Sequence, residues 1–187
     1  MSTYEERNTL SPWEQIMVVG EKFRQGLLRV ILVIVAISLL AYLFSDRLIF
    51  VLQWPIRFPL YLYAPTEAFI TKIKLALFCG FFLSAPYLFY TIWKAATLPY
   101  RVEKRALTVV VVTAASLLFF AGALLCYFLV LRFALTFLLG FGNDQIQPAI
   151  SAGRYFNFAF LLLLAFGLIF ELPLVLLLLA RGGLVDV

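Results

Sequence analysis

The chain has 187 residues, of which 64% are hydrophobic and 13% charged, with a mean hydropathy of +1.01. Soluble domains run at roughly 45–50% apolar and about 25% charged, so this composition excludes a water-soluble globular core and identifies an integral membrane protein. A formal charge of +5 would point a soluble protein toward nucleic acid or an anionic surface. In this composition it reads as a topology signal, and no nucleic-acid partner is expected.

The first 26 residues are polar and mixed in charge, unlike a cleavable signal peptide. The first apolar run, about 27–44, should therefore remain in the membrane. Spanning about 30 Å of hydrocarbon takes roughly 20 helical residues. Three further stretches meet that length, at about 69–93, 106–139 and 155–180. The fold class this predicts is an all-α polytopic membrane protein with four transmembrane helices in a single membrane domain. Trp54, Trp93, Tyr100 and Tyr155 fall near the ends of these runs, as interfacial aromatics do.

Between the first two spans, "RLIFVLQWPIRFPLYLYAPTEAF" is unusually apolar for a solvated loop. Pro55, Pro59 and Pro65 forbid one continuous helix there. The segment is expected to fold onto the ends of the spans as a cap. Pro86, in "FLSAPYLFY", removes a backbone hydrogen bond near the middle of the second span, a lesion that membrane helices tolerate. The third span, if continuous, is about 50 Å long and places Arg132 about 40 Å from Ala106, at headgroup level.

Basic residues set the orientation. Arg7, Lys22, Arg24 and Arg29 precede or enter the first span. Lys94, Arg101, Lys104 and Arg105 crowd the short connection between the second and third, and Arg181 follows the fourth. The other side carries Arg47, Arg57, Lys72, Lys74 and Arg154, read as spread over two longer loops. This bias predicts that the N-terminus and the C-terminal end are cytoplasmic.

Catalytic signals are missing. The chain has no histidine, and it shows no GxSxG elbow, HExxH pair, phosphate-cradling glycine loop or pair of intramembrane aspartates. Cys79 and Cys126 lie in apolar runs and read as packing residues. Neither catalysis nor a cofactor or metal is expected.

Two carboxylates stand out. Glu171, in "GLIFELPLVLLLLA", lies ten residues before Arg181, about 15 Å into the membrane. Its insertion costs about 3 kcal/mol, and the seventeen Leu, Ile, Phe and Val residues between Phe158 and Leu179 return roughly 0.3–0.6 kcal/mol each. The helix therefore inserts with the glutamate in place. One reading makes Glu171 a protonated structural residue bonded to a neighbouring group, with the Ile169 carbonyl freed by Pro173 as a local partner. The other makes it a polar contact for an ion, a proton or an incoming helix. The second carboxylate, Glu103, sits in the basic stretch "TLPYRVEKRALT". It is either an incidental ion-pair partner or an exposed carboxylate suited to arginines of a peptide. Glu14 and Glu21 add carboxylates just before the first span. On residues alone, a proton- or cation-coupled transporter using Glu171 remains the alternative function.

Taken in order, "PTEAFITKIKLALFCGFFLSAPYLFYTIW", "YRVEKRA", "SLLFFAGALLCYFLVLRFALTFLLGFG" and "LAFGLIFELPLVLLLLARGG" resemble the TatC family, the multi-span receptor subunit of the twin-arginine protein translocase. The family has a curved six-span fold, and the chain resembles its first four spans. The resemblance implies a non-enzymatic receptor in a bacterial-type inner membrane that binds the twin-arginine signal peptides of folded precursors. It also implies partnership with the single-span proteins TatA and TatB, an oligomeric state, and transport driven by the proton-motive force. By motif, Glu103 matches the loop glutamate that meets the arginine pair, and Glu171 the intramembrane glutamate that contacts partner helices. Pro55, Pro86 and Tyr127 match structural landmarks, and Pro173 completes the Phe-Glu-x-Pro of the fourth span. The chain departs from the family at "EKFRQGL", where Lys22 takes the place of a signal-binding glutamate and Glu21 stands beside it. It departs again at "AATLPYRVE", which is one residue short.

Overall fold

The computed structural model describes residues 12–54, 60–97, 105–140 and 150–181. In chain order these form α1 (Pro12–Leu43), α2 (Ser45–Gln53), the short strand β1 (Leu60–Tyr61), α3 (Pro65–Thr97), α4 (Arg105–Leu125), a π-helical turn (Cys126–Val130), α5 (Leu131–Leu139), β2 (Ile150–Ser151) and α6 (Ala152–Arg181). Four stretches are helical, long and apolar enough to cross a membrane: Arg24–Leu43, Pro65–Ala95, Arg105–Leu138 and Ala152–Ala180. The protein is all-α and polytopic, and the third crossing runs through α4, the π-helical turn and α5 without a break.

The helices start and stop where the sequence leaves few alternatives. Pro65 opens α3 at the first helical position, where its missing N–H costs nothing. Pro86 and Pro173 both lie inside continuous helices. Near the first, the hydroxyl of Ser84 donates to Phe81 O at 2.9 Å, adding a bond on the turn that the proline disturbs.

α3 is the hub. α1 lies mainly along it, and both α4 and α6 meet it, while α4 and α6 pair closely with each other. Lipid gives no hydrophobic drive for helix association, so the seams depend on close backbone approach and dense packing. Gly80 provides the approach between α1 and α3: a Cβ there would fall 1.9 Å from Ser38 Oγ and 2.7 Å from Ile34 O. The α4–α6 seam uses two glycines. A Cβ on Gly122 would strike Phe166 O at 2.7 Å, and one on Gly167 would meet the Phe119 ring at 2.6 Å. Between the seams runs a column of rings. Phe78 stacks on Phe160 at 4.3 Å between centroids and on Phe82 at 5.5 Å, and Phe82 reaches Phe119 at 5.1 Å.

The apolar segment after α1 does fold against the ends of the spans. α2 is held at its start by the Asp46–Lys72 ion pair, 2.7 Å long. At its other end two tyrosine hydroxyls donate to its last carbonyls, Tyr127 to Val51 O and Tyr155 to Leu52 O, the latter at 2.8 Å. Carbonyls at a helix C-terminus lack the usual i+4 donors; Tyr155 supplies one to Leu52 O, and Tyr127 adds a second donor to Val51 O, which also accepts Trp54 N–H at 3.2 Å. Beyond α2, β1 and β2 pair in parallel with Leu60 opposite Ile150 and Tyr61 opposite Ser151. That pairing ties the entry of α3 to the entry of α6.

One expectation needs correction. Lys72, Lys74 and Arg154 are not in loops: the lysines lie within the first three turns of α3, and Arg154 lies in the first turn of α6. Lys72 and Lys74 fall within the second apolar run itself, and the Glu67 cap extends α3 back to Pro65, so these basic residues are helical and stand at fixed positions.

Candidate functional site

The buried face of α6 explains where Glu171 sits. Ala152, Tyr155, Phe156, Ala159, Phe160, Leu163, Gly167 and Glu171 are its buried positions, spaced three and four apart as one helical stripe. Glu171 ends that stripe: from Leu172 to Ala180 no residue is buried. The glutamate stands one turn beyond Gly167 and thus on the side of α6 that faces α4. Two independent counts give its depth. It lies ten residues, about 15 Å, from Arg181. Gly167 opposes Phe119, which lies fourteen residues or about 21 Å past Arg105, and stepping back one turn again gives about 15 Å. Glu171 therefore occupies the middle of a hydrocarbon layer about 30 Å thick.

Its side chain is 8% exposed, and its Oε1 is buried with no hydrogen-bond partner among the described residues. The local bond to the Ile169 carbonyl is not made. Two residues turn the helix by about 200°, so Ile169 and Pro173 share the exposed side while Glu171 faces inward. A buried carboxyl without a partner costs about 1–3 kcal/mol, and such groups in membrane helices mark functional positions.

A second polar cluster closes the α2 end of the bundle. The Glu67 carboxylate accepts the hydroxyl of Ser151 and the backbone N–H groups of Gly153 at 2.9 Å and Tyr63 at 3.0 Å. Ser151 is the residue before α6, and its Oγ also accepts Arg154 N–H at 3.4 Å. One carboxylate thus supplies acceptors at the N-termini of both α3 and α6, where four N–H groups per helix lack partners. Sequence reasoning missed this role. The available signal was the Ser-Ala-Gly-Arg of 151–154, a serine placed to open a helix.

At the opposite end, Trp93 Nε1–H donates to Thr108 Oγ1 at 3.2 Å, and Thr97 Oγ1 donates to Trp93 O at 2.9 Å. These bonds join the end of α3 to the start of α4, the helices that bracket Glu103. Glu103 itself, like Pro55, lies outside the described residues. Glu21 belongs to the N-terminal part of α1, where the backbone alone is described. Pro86 is half-buried within α3, Pro173 is exposed on α6, and Tyr127 sits in the π-helical turn with its hydroxyl on Val51 O. The structure does not bring these residues into one site: Glu171 lies mid-membrane on α6, and Tyr127 serves the cap.

A bundle of four membrane-crossing helices with a buried carboxylate mid-span and a cap at its α2 end defines a polytopic membrane protein with an internal polar contact. Comparison with known proteins gives its family. Residues 20–187 match the family model described as Sec-independent protein translocase protein (TatC). The chain is 33% identical over 169 residues to the Sec-independent protein translocase protein TatC of Carboxydothermus hydrogenoformans, covering 89% of this chain and 70% of that protein. It is 38% identical over 196 residues to the protein of the same name from Desulforapulum autotrophicum, covering 100% of this chain and 69% of the relative. Two crystal structures of the twin arginine translocase receptor TatC superpose with a TM-score of 0.81. One, in DDM, is 31% identical and the other 34%, each match covering 90% of this chain and 78% and 77% of those chains. The chain belongs to the TatC family of Sec-independent protein translocase proteins. That membership leaves a solute transporter built on Glu171 without support.

Proposed function

We propose that this protein is the signal-peptide receptor of a twin-arginine translocase in a bacterial-type inner membrane, acting by binding and assembly and without covalent chemistry. The observation that carries the reading is the unpartnered Oε1 of Glu171 at mid-membrane, where the α4–α6 seam ends. A polar atom held there without a bond is an acceptor, or when protonated a donor, awaiting a group from another helix. The partners are single-span proteins of the TatA and TatB type, and the assembly is oligomeric.

On the cytoplasmic face, Glu103 and Glu21 pair with the two arginines of the signal peptide. Arginine forks suit carboxylates, and a lysine offers only a point charge, so the interaction discriminates between them. The ends of the first and fourth membrane-crossing stretches that carry Arg24 and Arg181 are cytoplasmic, in keeping with the bias of basic residues. The proton-motive force supplies the free energy of transport.

The test is crosslinking of the purified protein to a twin-arginine signal peptide. Lysine substitution of the arginine pair and Glu103→Ala should each weaken capture about tenfold or more, the scale of a lost charge-assisted contact. Equal capture in both cases would reject the receptor reading. Glu171→Ala should leave peptide capture intact and reduce co-purification of the single-span partners.

A further inference from the structure

Of the cations that turned out to be helical, Lys72 is paired with Asp46, whereas Lys74 and Arg154 have no carboxylate partner among the described residues. Lys74 Nζ donates to Asn157 Oδ1 at 3.2 Å, bridging α3 and α6. Because the amide oxygen takes the lysine, the Asn157 NH2 group and its two hydrogens are left for another acceptor. Arg154 lies three residues before Asn157 on α6, hence on the same face, and all three side chains are exposed. Neither Lys74 nor Arg154 has a carboxylate partner among the described residues. The two described carboxylates at this end are already committed: Asp46 to Lys72, and Glu67 to Ser151, Gly153 and Tyr63.

The depth of this cluster can be read from helix lengths. Lys74 is nineteen residues, about 28 Å, from Trp93, and Asn157 is twenty-three residues, about 34 Å, from Ala180. Measured against about 30 Å of hydrocarbon, both reach the boundary where phosphates lie. Arg154, one turn further out, is long enough to bend back to that level. A phosphodiester offers acceptors only, and the cluster offers an ammonium, an amide and a guanidinium fork.

We propose that Lys74, Asn157 and Arg154 form a headgroup site for one anionic phospholipid, in the leaflet at the α2 end of the bundle. The lipid phosphate sits between α3 and α6 and completes a seam whose only direct polar bond at this depth among the described residues is Lys74–Asn157. Two cations without carboxylate partners among the described residues favour a headgroup with no ammonium of its own, so phosphatidylglycerol binds in preference to phosphatidylcholine.

The full chain is purified in a non-ionic detergent. Binding of dioleoyl phosphatidylglycerol, dioleoyl phosphatidylcholine and soluble glycerol 3-phosphate is measured by native mass spectrometry and by thermal melting. Phosphatidylglycerol should be retained and should raise the melting temperature, and Lys74→Gln with Arg154→Gln should weaken its binding about tenfold. Asn157→Asp isolates the anion site from the helix contact. It keeps a bond to Lys74 but replaces the free donors by an acceptor, so the fold should persist while lipid retention falls. Lys74→Arg should retain the lipid, as should Arg132→Gln, an exposed cation on α5. Unchanged binding in Asn157→Asp overturns the proposal, and so does an equal loss in Arg132→Gln. Glycerol 3-phosphate binding as tightly as the lipid would also overturn it, because the site would then serve a free anion.

Discussion

Two glutamates show how burial and partnership decide what a carboxylate is for. Glu67 holds three donors and works as a structural cap on two helices. Glu171 is buried and its Oε1 holds none. Removing a satisfied group leaves its donors orphaned, whereas removing an unsatisfied one relieves a cost. Glu171→Leu should therefore raise the stability of the isolated protein by about 1–3 kcal/mol in a denaturant titration in micelles. A fall in stability would mean that the carboxyl has a partner within the chain. Glu171 was legible in the sequence because it interrupts an apolar run, and a single residue out of place is visible without coordinates. The Glu67 role was not: its partners Ser151 and Gly153 are 84 and 86 residues away, and no local pattern links "PTEAF" to "ISAGR".

At the scale of elements, α2 lays Leu48, Ile49 and Leu52 against the core and is fixed there by side chains of three other elements. Of its nine residues Ser45 alone is buried, and Phe50 and Val51 are exposed. Its anchors are Lys72 from α3, Tyr127 from the π-helical turn and Tyr155 from α6. The extra residue of a π-helical turn rotates the facing of the residues after it, and here the turn lies where Tyr127 must reach Val51 O. Tyr127→Phe combined with Tyr155→Phe removes both caps while keeping the rings. The double variant should lose about 1–3 kcal/mol and accelerate hydrogen exchange in α2 well before the rest of the bundle. Uniform acceleration throughout would show that α2 has no independent role. The sequence marked the cap through its prolines and apolar character, and it marked Tyr127 through the family resemblance. Tyr155 passed as an interfacial aromatic, since nothing in a sequence says which backbone carbonyl a hydroxyl will meet.

For the whole molecule, four long apolar runs were enough to fix the all-α polytopic class, because lipid allows a helical chain few other solutions. Which helix meets which depended on features too small to read in advance. Gly80, Gly122 and Gly167 look alike in the sequence, yet one sets the α1–α3 seam and two set the α4–α6 seam. Gly80→Leu should separate α1 from α3, measured as loss of a disulfide engineered across that seam, and should leave the α4–α6 pairing intact. Gly167→Leu should do the reverse by displacing Phe119. If either variant disrupted both seams equally, the two would not be independent.

The Glu67 cap also carries a clock. During synthesis α3 emerges with its carboxylate able to hold only Tyr63 N–H, since Ser151 comes 84 residues later. At about 5–20 residues per second that interval is roughly 4–17 s. The α1–α3 seam can close within it, and α4 can join. The bond between Glu67 and the start of α6 forms only once the fourth helix has been delivered. A chain halted before that point would keep an open end at α2, exposed to whatever surveys unfinished membrane proteins.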